Sequence, residues 1–291
     1  MEVAVRDGSF KDTGFPSGVE AMRFLGVSAV EAAIDKDGVV TSLVDGRPLN
    51  LTKAEELEAY AAENQAAGVR VCTLLCSQNF NAPDPAPHLA WVVQAAHAAE
   101  KLGVPSLRID SIMTGQSDLP LEERVRIFSD AATEVLRATA DTNVALGIEN
   151  HGAQGNDPEW MRSVLRRVAS PRLGVTLDVG NWYWWGHPLS RVYEIYQEFG
   201  PYVKATHVKN IAYPAEIRET QRSIGFEYGK YCCPLDEGDI QMTKVVSLLR
   251  AAGYDGPLTM EDESVGKFPA EQRPAIMKRD ADHLRAALAA G

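Results

Sequence analysis

Four side chains able to bind metal or move protons lie at the ends of short, largely apolar segments. Glu149 ends ALGIE, Asp178 ends GVTLD, His207 lies in KATHV, and Glu261 ends PLTME. The first three are spaced 29 residues apart, which is about one strand plus one helix. Because a parallel barrel collects the carboxyl ends of its strands at one face, we expect these four side chains to converge there.

Three carboxylates around one mouth repel each other unless a cation compensates their charge. Two Glu, one Asp and one His form a mixed oxygen and nitrogen ligand set, which suits Mn²⁺, Co²⁺ or Mg²⁺ with positions left open for water or substrate. Zn²⁺ is the alternative, although it more often takes more nitrogen or sulfur ligands. The sequence therefore predicts one divalent metal ion. The competing interpretation is a set of unrelated surface acids and a core histidine.

Residues two positions further along a strand point to the same side, which adds His151 and Lys209 as candidate substrate-binding residues. His151 binds a substrate hydroxyl or orients Glu149, or it is simply a hydrogen-bonded loop histidine. Lys209 either stabilises an oxyanion or a phosphate, or pairs with the surplus carboxylates, which is favoured. Glu263 is expected at the rim of the mouth.

Two further segments supply candidate substrate contacts. Arg108 and Asp110 alternate onto one face of a predicted strand and either bind substrate or pair with each other, and pairing is favoured. Asn181 is followed by an aromatic run, WYWW, that begins at Trp182. Aromatic faces pack against the C–H faces of sugar rings and also anchor interfaces, so Trp182 is either a wall of the substrate site or a packing residue.

The elements that position these residues follow from the alternation of strand and helix patterns, which is typical of a parallel sheet covered by helices. Strands are predicted over residues 3–6, 29–34, 69–75, 106–112, 144–149, 173–178, 203–208 and 257–261. Helices are predicted over residues 19–24, 53–66, 89–101, 121–138, 159–168, 189–198 and 243–252. Eight strand units in 291 residues suit an α/β fold with a single (β/α)₈ TIM barrel domain over residues 1–291.

One long insertion interrupts this pattern at about residues 211–239, between the seventh and eighth strands. Loops of this length are usually functional or disordered, and the aromatic residues in this one argue against disorder. We expect either a lid over the barrel mouth or a subunit contact, the second of which fits a homo-oligomer.

The composition of the chain argues against some classes of binding partner. The chain has 29 Lys and Arg against 40 Asp and Glu, a formal charge of -11 that repels nucleic acid and anionic membranes. No apolar stretch is long enough to span a bilayer, and the first residues lack a basic region followed by an apolar run. Four cysteines are too few for a disulfide scaffold and are expected to be buried thiols. We expect a cytoplasmic protein with no nucleic-acid or membrane partner.

The ordered set Glu149, Asp178, His207 and Glu261, with the stretches LGIENHG, LDVGN, HVKN and LDEGDIQMTKVVSLLRAAGYDGPLTMEDE, resembles the xylose isomerase-like TIM barrels over nearly the whole chain. In ketose epimerases and hydroxypyruvate isomerases of that family, the matching positions bind one divalent ion, and the two glutamates exchange substrate protons. The resemblance implies that Glu149 and Glu261 are both metal ligands and catalytic groups. Asn181 stands where many ketose epimerases have a histidine, and Asn cannot transfer a proton.

The resemblance implies a metal-dependent isomerase or epimerase of a small sugar or keto-sugar that works through a metal-bound enediolate. A lyase or hydratase acting on a keto-glycoside shares the first step. A non-catalytic carbohydrate-binding barrel would instead use the aromatic run and the insertion. The apurinic endonuclease branch is disfavoured by the acidic charge and by the lack of histidines in SLRIDSI.

Overall fold

A computed structural model describes residues 1–12, 14–111 and 118–291 of the chain. Eight parallel strands close into a barrel: β1 Val3–Arg6, β2 Ala29–Ala33, β3 Arg70–Leu75, β4 Ser106–Ile109, β5 Ala145–Glu149, β6 Leu173–Asp178, β7 Val203–Val208 and β8 Leu258–Met260. Each strand pairs with its neighbours in the chain, and β8 pairs with β1. The predicted α/β fold with a (β/α)₈ TIM barrel is confirmed. Ile112, the predicted end of the fourth strand, lies outside the described residues.

Helices cover the barrel: α1 Gly18–Leu25, α2 Ala54–Ala67, α3 Ala86–Leu102, α4 Leu121–Ala138, α5 Pro158–Val168, α6 Leu189–Phe199, α7 Met242–Ala251 and α8 Arg273–Ala290. Gly68 and Gly103 end α2 and α3 in the left-handed conformation. Helix α8 was not predicted. Its buried face includes Ala281, Ala287 and the polar Asp280, so its apolar stripe is weak.

The barrel strands alternate between helix-facing and barrel-facing side chains, as parallel strands covered by helices do. Val175 and Leu177 of β6 are fully buried in the main hydrophobic core, while Asp178 ends the strand at the mouth. Val179, just beyond β6, is also fully buried in that core. This packing holds the carboxyl ends of the strands in place and so fixes the positions of the polar side chains there.

The insertion at 211–239 packs against its own barrel. Asn210–Ile211 pairs with Cys232–Cys233 as an antiparallel ribbon, and a short helix spans Tyr228–Tyr231. The Arg222 guanidinium lies over the Tyr183 ring at 4.5 Å and over the Tyr213 ring at 4.4 Å. These contacts attach the insertion to the loop after β6 and bring Tyr228 to the rim of the mouth.

A second hairpin, Val39–Thr41 with Pro48–Asn50, lies between β2 and α2 and was not predicted. The four cysteines are free and buried, as expected. Among the described helices, none combines the length and the apolar character needed to cross a membrane.

Candidate metal centre

The four predicted ligand residues meet at the carboxyl ends of four consecutive strands. Glu149 and Asp178 end β5 and β6, His207 lies near the end of β7, and Glu261 follows β8 directly. Asp178 pairs in register with His207, and the Glu261 backbone N–H donates to the Val208 carbonyl at 3.0 Å. One ligand atom from each of the four residues lies within 4.8 Å of the others. The structure therefore brings together a four-residue group able to hold a metal ion.

Glu149 and Asp178 each use one carboxylate oxygen for an outward hydrogen bond. Arg108 Nε donates to Glu149 Oε2 at 2.5 Å, and its terminal Nη2 donates to the same oxygen. The backbone N–H groups of Gly180 and Asn181 donate to Asp178 Oδ1 at 2.7 and 3.0 Å. Glu149 Oε1 and Asp178 Oδ2 are thus left to face the shared centre.

Glu261 and His207 also each have one polar atom engaged outward and a second that faces the centre. Arg6 donates to Glu261 Oε1, which leaves Glu261 Oε2 facing His207 Nδ1 at 3.0 Å. His207 Nε2 lies 2.7 Å from Glu31 Oε1 on β2, so His207 Nδ1 is the imidazole nitrogen that faces the centre. A carboxylate on the far nitrogen is the usual way to fix the tautomer and ring orientation of a histidine ligand.

A divalent cation fits the inward-facing atoms. Asp178 Oδ2 and Glu261 Oε2 are buried and accept no well-directed hydrogen bond from the described residues, although Lys209 Nζ and His207 Nδ1 lie 3.0 Å from them as ion-pair partners. Buried carboxylate oxygens without such bonds are costly unless a cation compensates them. Three carboxylate oxygens and one imidazole nitrogen form a donor set for a moderately hard divalent ion.

Both glutamates of the group are held in the ionised form that metal binding requires. Burial opposes ionisation of Glu149, but Arg108 and His207 outweigh it and keep the pKa of Glu149 well below its usual value. Burial also opposes ionisation of Glu261, and His207 and Lys209 lower the pKa of Glu261 below its usual value. Both carboxylates are therefore charged at neutral pH.

In contrast to the two glutamates, Asp178 and His207 both have raised pKa values. Burial raises the pKa of Asp178 to about 6, although Lys209 opposes the shift. Burial favours neutral His207, but Glu261, Glu31 and Glu149 together raise the pKa of His207 well above its usual value. A bound cation would favour ionised Asp178 and neutral His207, since both would then act as ligands.

Arg108 and Asp110 pair with each other, as the sequence analysis favoured. Arg108 Nη1 lies 3.2 Å from Asp110 Oδ2, and both residues are buried. His151 Nδ1 lies 3.3 Å from Asp110 Oδ1, and this hydrogen bond raises the pKa of His151. Arg108 acts on Glu149, and the ring of His151 remains partly exposed at the mouth.

Lys209 is buried and paired with carboxylates. Its Nζ lies 2.6 Å from Glu263 Oε1 and 3.0 Å from Asp178 Oδ2. Tyr228 of the insertion donates its hydroxyl to the other oxygen of Glu263 at 2.8 Å. Glu263 thus joins the barrel to the insertion at the rim.

A cavity of about 210 Å³ opens beside the ligand residues and is termed the mouth cavity here. It is lined by His151, Asn181, Trp184, Lys209, Tyr228 and Glu263. Asn181 Nδ2 lies 3.5 Å from Glu149 Oε1. The structure therefore places three of the candidate substrate-binding residues, His151, Asn181 and Lys209, around one cavity.

The expectation that Trp182 forms a wall of the substrate site is wrong. The Trp182 side chain is fully buried and stacks on Phe199 with ring centroids 5.6 Å apart. Residues 181–185 form a short helix, in which neighbouring side chains point about 100° apart. That geometry turns Trp182 into the core, while Trp184 lines the mouth cavity.

Two residues that contact the candidate ligands were not predicted from the sequence. Glu31 is a fully buried glutamate inside the apolar strand β2, and Arg6 ends the first strand. A charged residue in an apolar strand, as in AVEAA, is the signal that could have identified Glu31, because such a residue needs a partner.

Solved structures share this architecture. IolI, solved with a bound zinc atom, aligns with a TM-score of 0.72 at 17% identity, covering 98% of this chain and 99% of that chain. The 3-keto-D-glucoside 4-epimerase YcjR from E. coli aligns with a TM-score of 0.70 at 14% identity, with the same coverage. At these identities the likeness shows the fold alone.

The chain also matches known sequences. An uncharacterized protein of Methanocaldococcus jannaschii is 26% identical over 148 residues, which are 46% of this chain and 42% of that protein. The match thus spans less than half of the relative's length. The pattern that defines the xylose isomerase-like TIM barrels matches residues 19–287, and the chain belongs to that family.

Proposed function

We propose that the protein is a divalent-metal-dependent isomerase or epimerase of a small sugar or keto-sugar. One observation carries the proposal: each of the four ligand residues has one polar atom engaged in an outward hydrogen bond and a second directed at a common centre. Such fixed orientation is what a preorganised metal site needs.

Glu149, Asp178, His207 and Glu261 would hold the ion. The bound ion would supply Lewis acidity, which polarises a substrate carbonyl and makes the neighbouring C–H more acidic. The mixed donor set favours Mn²⁺, Co²⁺ or Mg²⁺, and Zn²⁺ is the alternative that the zinc-containing IolI structure supports.

Glu149 and Glu261 would move the proton. Their inward oxygens lie 3.1 and 3.0 Å from His207 Nδ1, so they flank one centre. Because both pKa values are lowered, each glutamate is ionised and ready to act as a base. One glutamate would remove the proton next to the carbonyl and, now neutral, would return it to the neighbouring carbon of the enediolate. Return on the opposite face would require the other glutamate first to take a proton from solvent water.

The mouth cavity would bind the rest of the substrate. Asn181 and His151 present hydrogen-bonding groups, and the Trp184 ring offers a flat apolar surface for the C–H face of a sugar. Asn181 takes no part in proton transfer, since an amide has no suitable pKa. Only the two glutamates are therefore assigned acid and base roles.

Hydrogen exchange tests the proposal. Purified protein loaded separately with Mn²⁺, Co²⁺, Mg²⁺ or Zn²⁺ is incubated in D₂O with a panel of ketoses and keto-glycosides. We expect deuterium on the carbon next to the carbonyl with at least one metal, and loss of exchange in chelator. Absence of exchange across the panel with every metal would refute the proposal.

Product analysis separates the related reactions. Epimers or aldose–ketose pairs support the proposal, whereas a dehydrated product would assign the chain to the lyases that share the first step. A non-catalytic carbohydrate-binding barrel would purify without stoichiometric metal and keep its affinity for sugars in chelator. Metal analysis of the purified protein distinguishes that case directly.

A further inference from the structure

The lysine that lines the mouth cavity is already paired with carboxylates. This pairing limits the kind of substrate that the cavity can bind. Lys209 is nearly fully buried, with 6% of its side chain exposed, and its Nζ contacts Glu263 and Asp178. Charge-assisted contacts of 2.6 and 3.0 Å to two carboxylates leave no uncompensated positive charge on this group.

The same is true of the other cations around the centre. Among the described residues, every cationic group that lines the mouth cavity or contacts a ligand residue is paired with a carboxylate. The pairs are Arg6 with Glu261, Arg108 with Glu149 and Asp110, His151 with Asp110, His207 with Glu31, and Lys209 with Asp178 and Glu263. Thr13 and residues 112–117, outside the described ranges, include no Lys, Arg or His.

The charges of this cluster leave no unpaired positive charge to bind an anionic substrate. Six carboxylates stand against five cationic groups, two of which are histidines. A divalent ion would bring the cluster close to neutrality. A phosphate group carries a charge of about -1.5 to -2 at pH 7 and would enter with no free cation to receive it.

A second cavity of about 480 Å³, lined in part by Arg6, Glu261 and Glu263, opens on the same cluster. The mouth cavity itself has a volume of about 210 Å³, below the roughly 300–1,000 Å³ typical of sites for drug-sized ligands. Its walls offer the amide of Asn181, the phenol of Tyr228 and the ring of Trp184, which suit hydroxyl groups and C–H faces.

We propose, on the basis of the function proposed above, that the site takes an unphosphorylated polyhydroxy carbonyl compound and rejects its phosphate ester, and that Glu263 determines this specificity. Glu263 holds Lys209 through one oxygen and accepts the Tyr228 hydroxyl through the other. It thereby neutralises the lysine that lines the mouth cavity.

The first test uses inorganic phosphate as the probe and requires no knowledge of the substrate. Calorimetric titration of phosphate into metal-free wild-type protein should show no binding below tens of millimolar. Glu263→Gln keeps the shape of the side chain but removes one of the two carboxylates that compensate Lys209, leaving only Asp178 beside it, so phosphate affinity should rise at least tenfold. The double variant Glu263→Gln with Lys209→Met should lose that gain.

A matched control separates this local effect from net charge. Glu58 is exposed on α2, and Glu58→Gln changes the net charge by the same amount as Glu263→Gln. It should leave phosphate binding as in the wild type. A gain of affinity in Glu58→Gln equal to that in Glu263→Gln, or no gain in Glu263→Gln, overturns the role of Glu263.

The second test compares free ketoses with their phosphates on metal-loaded protein, using D-fructose and D-tagatose and the 6-phosphate of each. Each phosphate should bind at least tenfold more weakly than any free sugar that binds, and Glu263→Gln should narrow the gap. Phosphate esters that bind as well as or better than free sugars overturn the inference. If neither member of a pair binds, the phosphate titration decides.

Deuterium exchange distinguishes failure of this inference from failure of the proposed function. Exchange into a phosphorylated sugar would leave the function standing and refute the substrate class. Selective binding of free sugars with no exchange on any carbon would refute the proposed function and leave the substrate class standing.

Discussion

Two clusters of buried carboxylates lie side by side at the end of β8 and differ in what compensates them. Glu261 points to the metal centre, where Arg6, His207 and Lys209 lie close by. The next residue, Asp262, lies against Asp280 of α8, and the described residues provide no ion pair to either of these two. Adjacent positions in the chain thus place carboxylates in opposite electrostatic environments.

The two clusters resolve the cost of burial in different ways. At the metal centre, nearby cations lower the pKa values of Glu149 and Glu261 despite burial. In the second cluster, burial and then the charge of Asp262 raise the pKa of Asp280 to about 9. The first cluster keeps its charge and the second keeps a proton. The cations around the centre therefore keep Glu149 and Glu261 ionised.

The largest expected effect is on turnover at the charged cluster. Glu149→Gln or Glu261→Gln removes a group proposed to transfer protons and a charge proposed to bind the metal ion, so we expect turnover to fall by about 10²- to 10⁴-fold. Deuterium exchange and product formation with a confirmed substrate provide the measurement. Asp280→Asn should retain turnover, since Asp280 lies behind β8. Near-normal activity in either glutamine variant would remove that glutamate from the mechanism.

Arg108→Met should bring Glu149 closer to the situation of Asp280, with His207 and His151 as the cationic groups that remain near it. Removing one partner of a buried pair typically costs about 3–5 kcal/mol, so we expect a loss of that size in the free energy of unfolding at neutral pH. The loss should shrink near pH 4, because Glu149 can then take up a proton. Arg6→Met is the control: 33% of the Arg6 side chain is exposed, so we expect roughly half the loss or less.

Urea unfolding of both arginine variants at pH 4 and pH 7 checks this prediction. Equal losses for Arg108→Met and Arg6→Met would show that the depth of burial does not separate the two arginines. A loss that does not depend on pH would show that Glu149 is not the group left unpaired.

Glu31→Gln tests how much the carboxylate partner of His207 contributes to metal binding. Gln keeps the size of the side chain but removes the charge that faces His207 Nε2, and such partners typically contribute about 10- to 100-fold to metal affinity. We therefore expect metal binding, measured by competition with a chelating dye, to weaken by that factor while the fold is retained. Nitrogen NMR of His207 reports the tautomer. Unchanged metal affinity and an unchanged tautomer would contradict the positioning role of Glu31.

The eight strands and the convergence of the four candidate ligand residues could be predicted from the sequence, because both depend on local pattern. Apolar runs define strands, and a charged or imidazole residue at the end of such a run, like Asp178 or His207, stands out against them. Strand alternation then determines which side chains face inward. None of these steps needs knowledge of a contact between distant segments.

The partners of the ligands could not be predicted, because they come from distant segments. Glu31 reaches His207 across 176 residues and Arg6 reaches Glu261 across 255 residues. Only closure of the barrel brings β1 and β2 beside β7 and β8. The misassigned Trp182 has another cause: a short helix after β6 alternates the directions of neighbouring aromatic rings, which the run WYWW does not reveal.

The smallest expected effect is a gain in stability from Asp280→Asn, with the sign opposite to that for Arg108. The pKa of Asp280 is about 9 in the folded protein, against about 3.9 for an unfolded chain, so its favourable contribution is complete below pH 4 and is lost as pH rises towards 9. The introduced amide would still accept the Leu235 N–H through its oxygen and donate to Asp262 through its nitrogen. Relief of one poorly satisfied buried group is typically about 1–3 kcal/mol, so the variant should exceed the wild type by that amount at pH 9 and by less at pH 5.

Urea unfolding at pH 5, 7 and 9 measures this difference between Asp280→Asn and the wild type. Asp255→Asn, which removes an exposed charge, is the control and should change stability little at any of the three pH values. Parallel pH profiles for Asp280→Asn and wild type would mean that Asp280 is ionised in the folded protein. In that case both clusters would keep their charge, and the cations at the metal centre would no longer explain why Glu149 and Glu261 are ionised there.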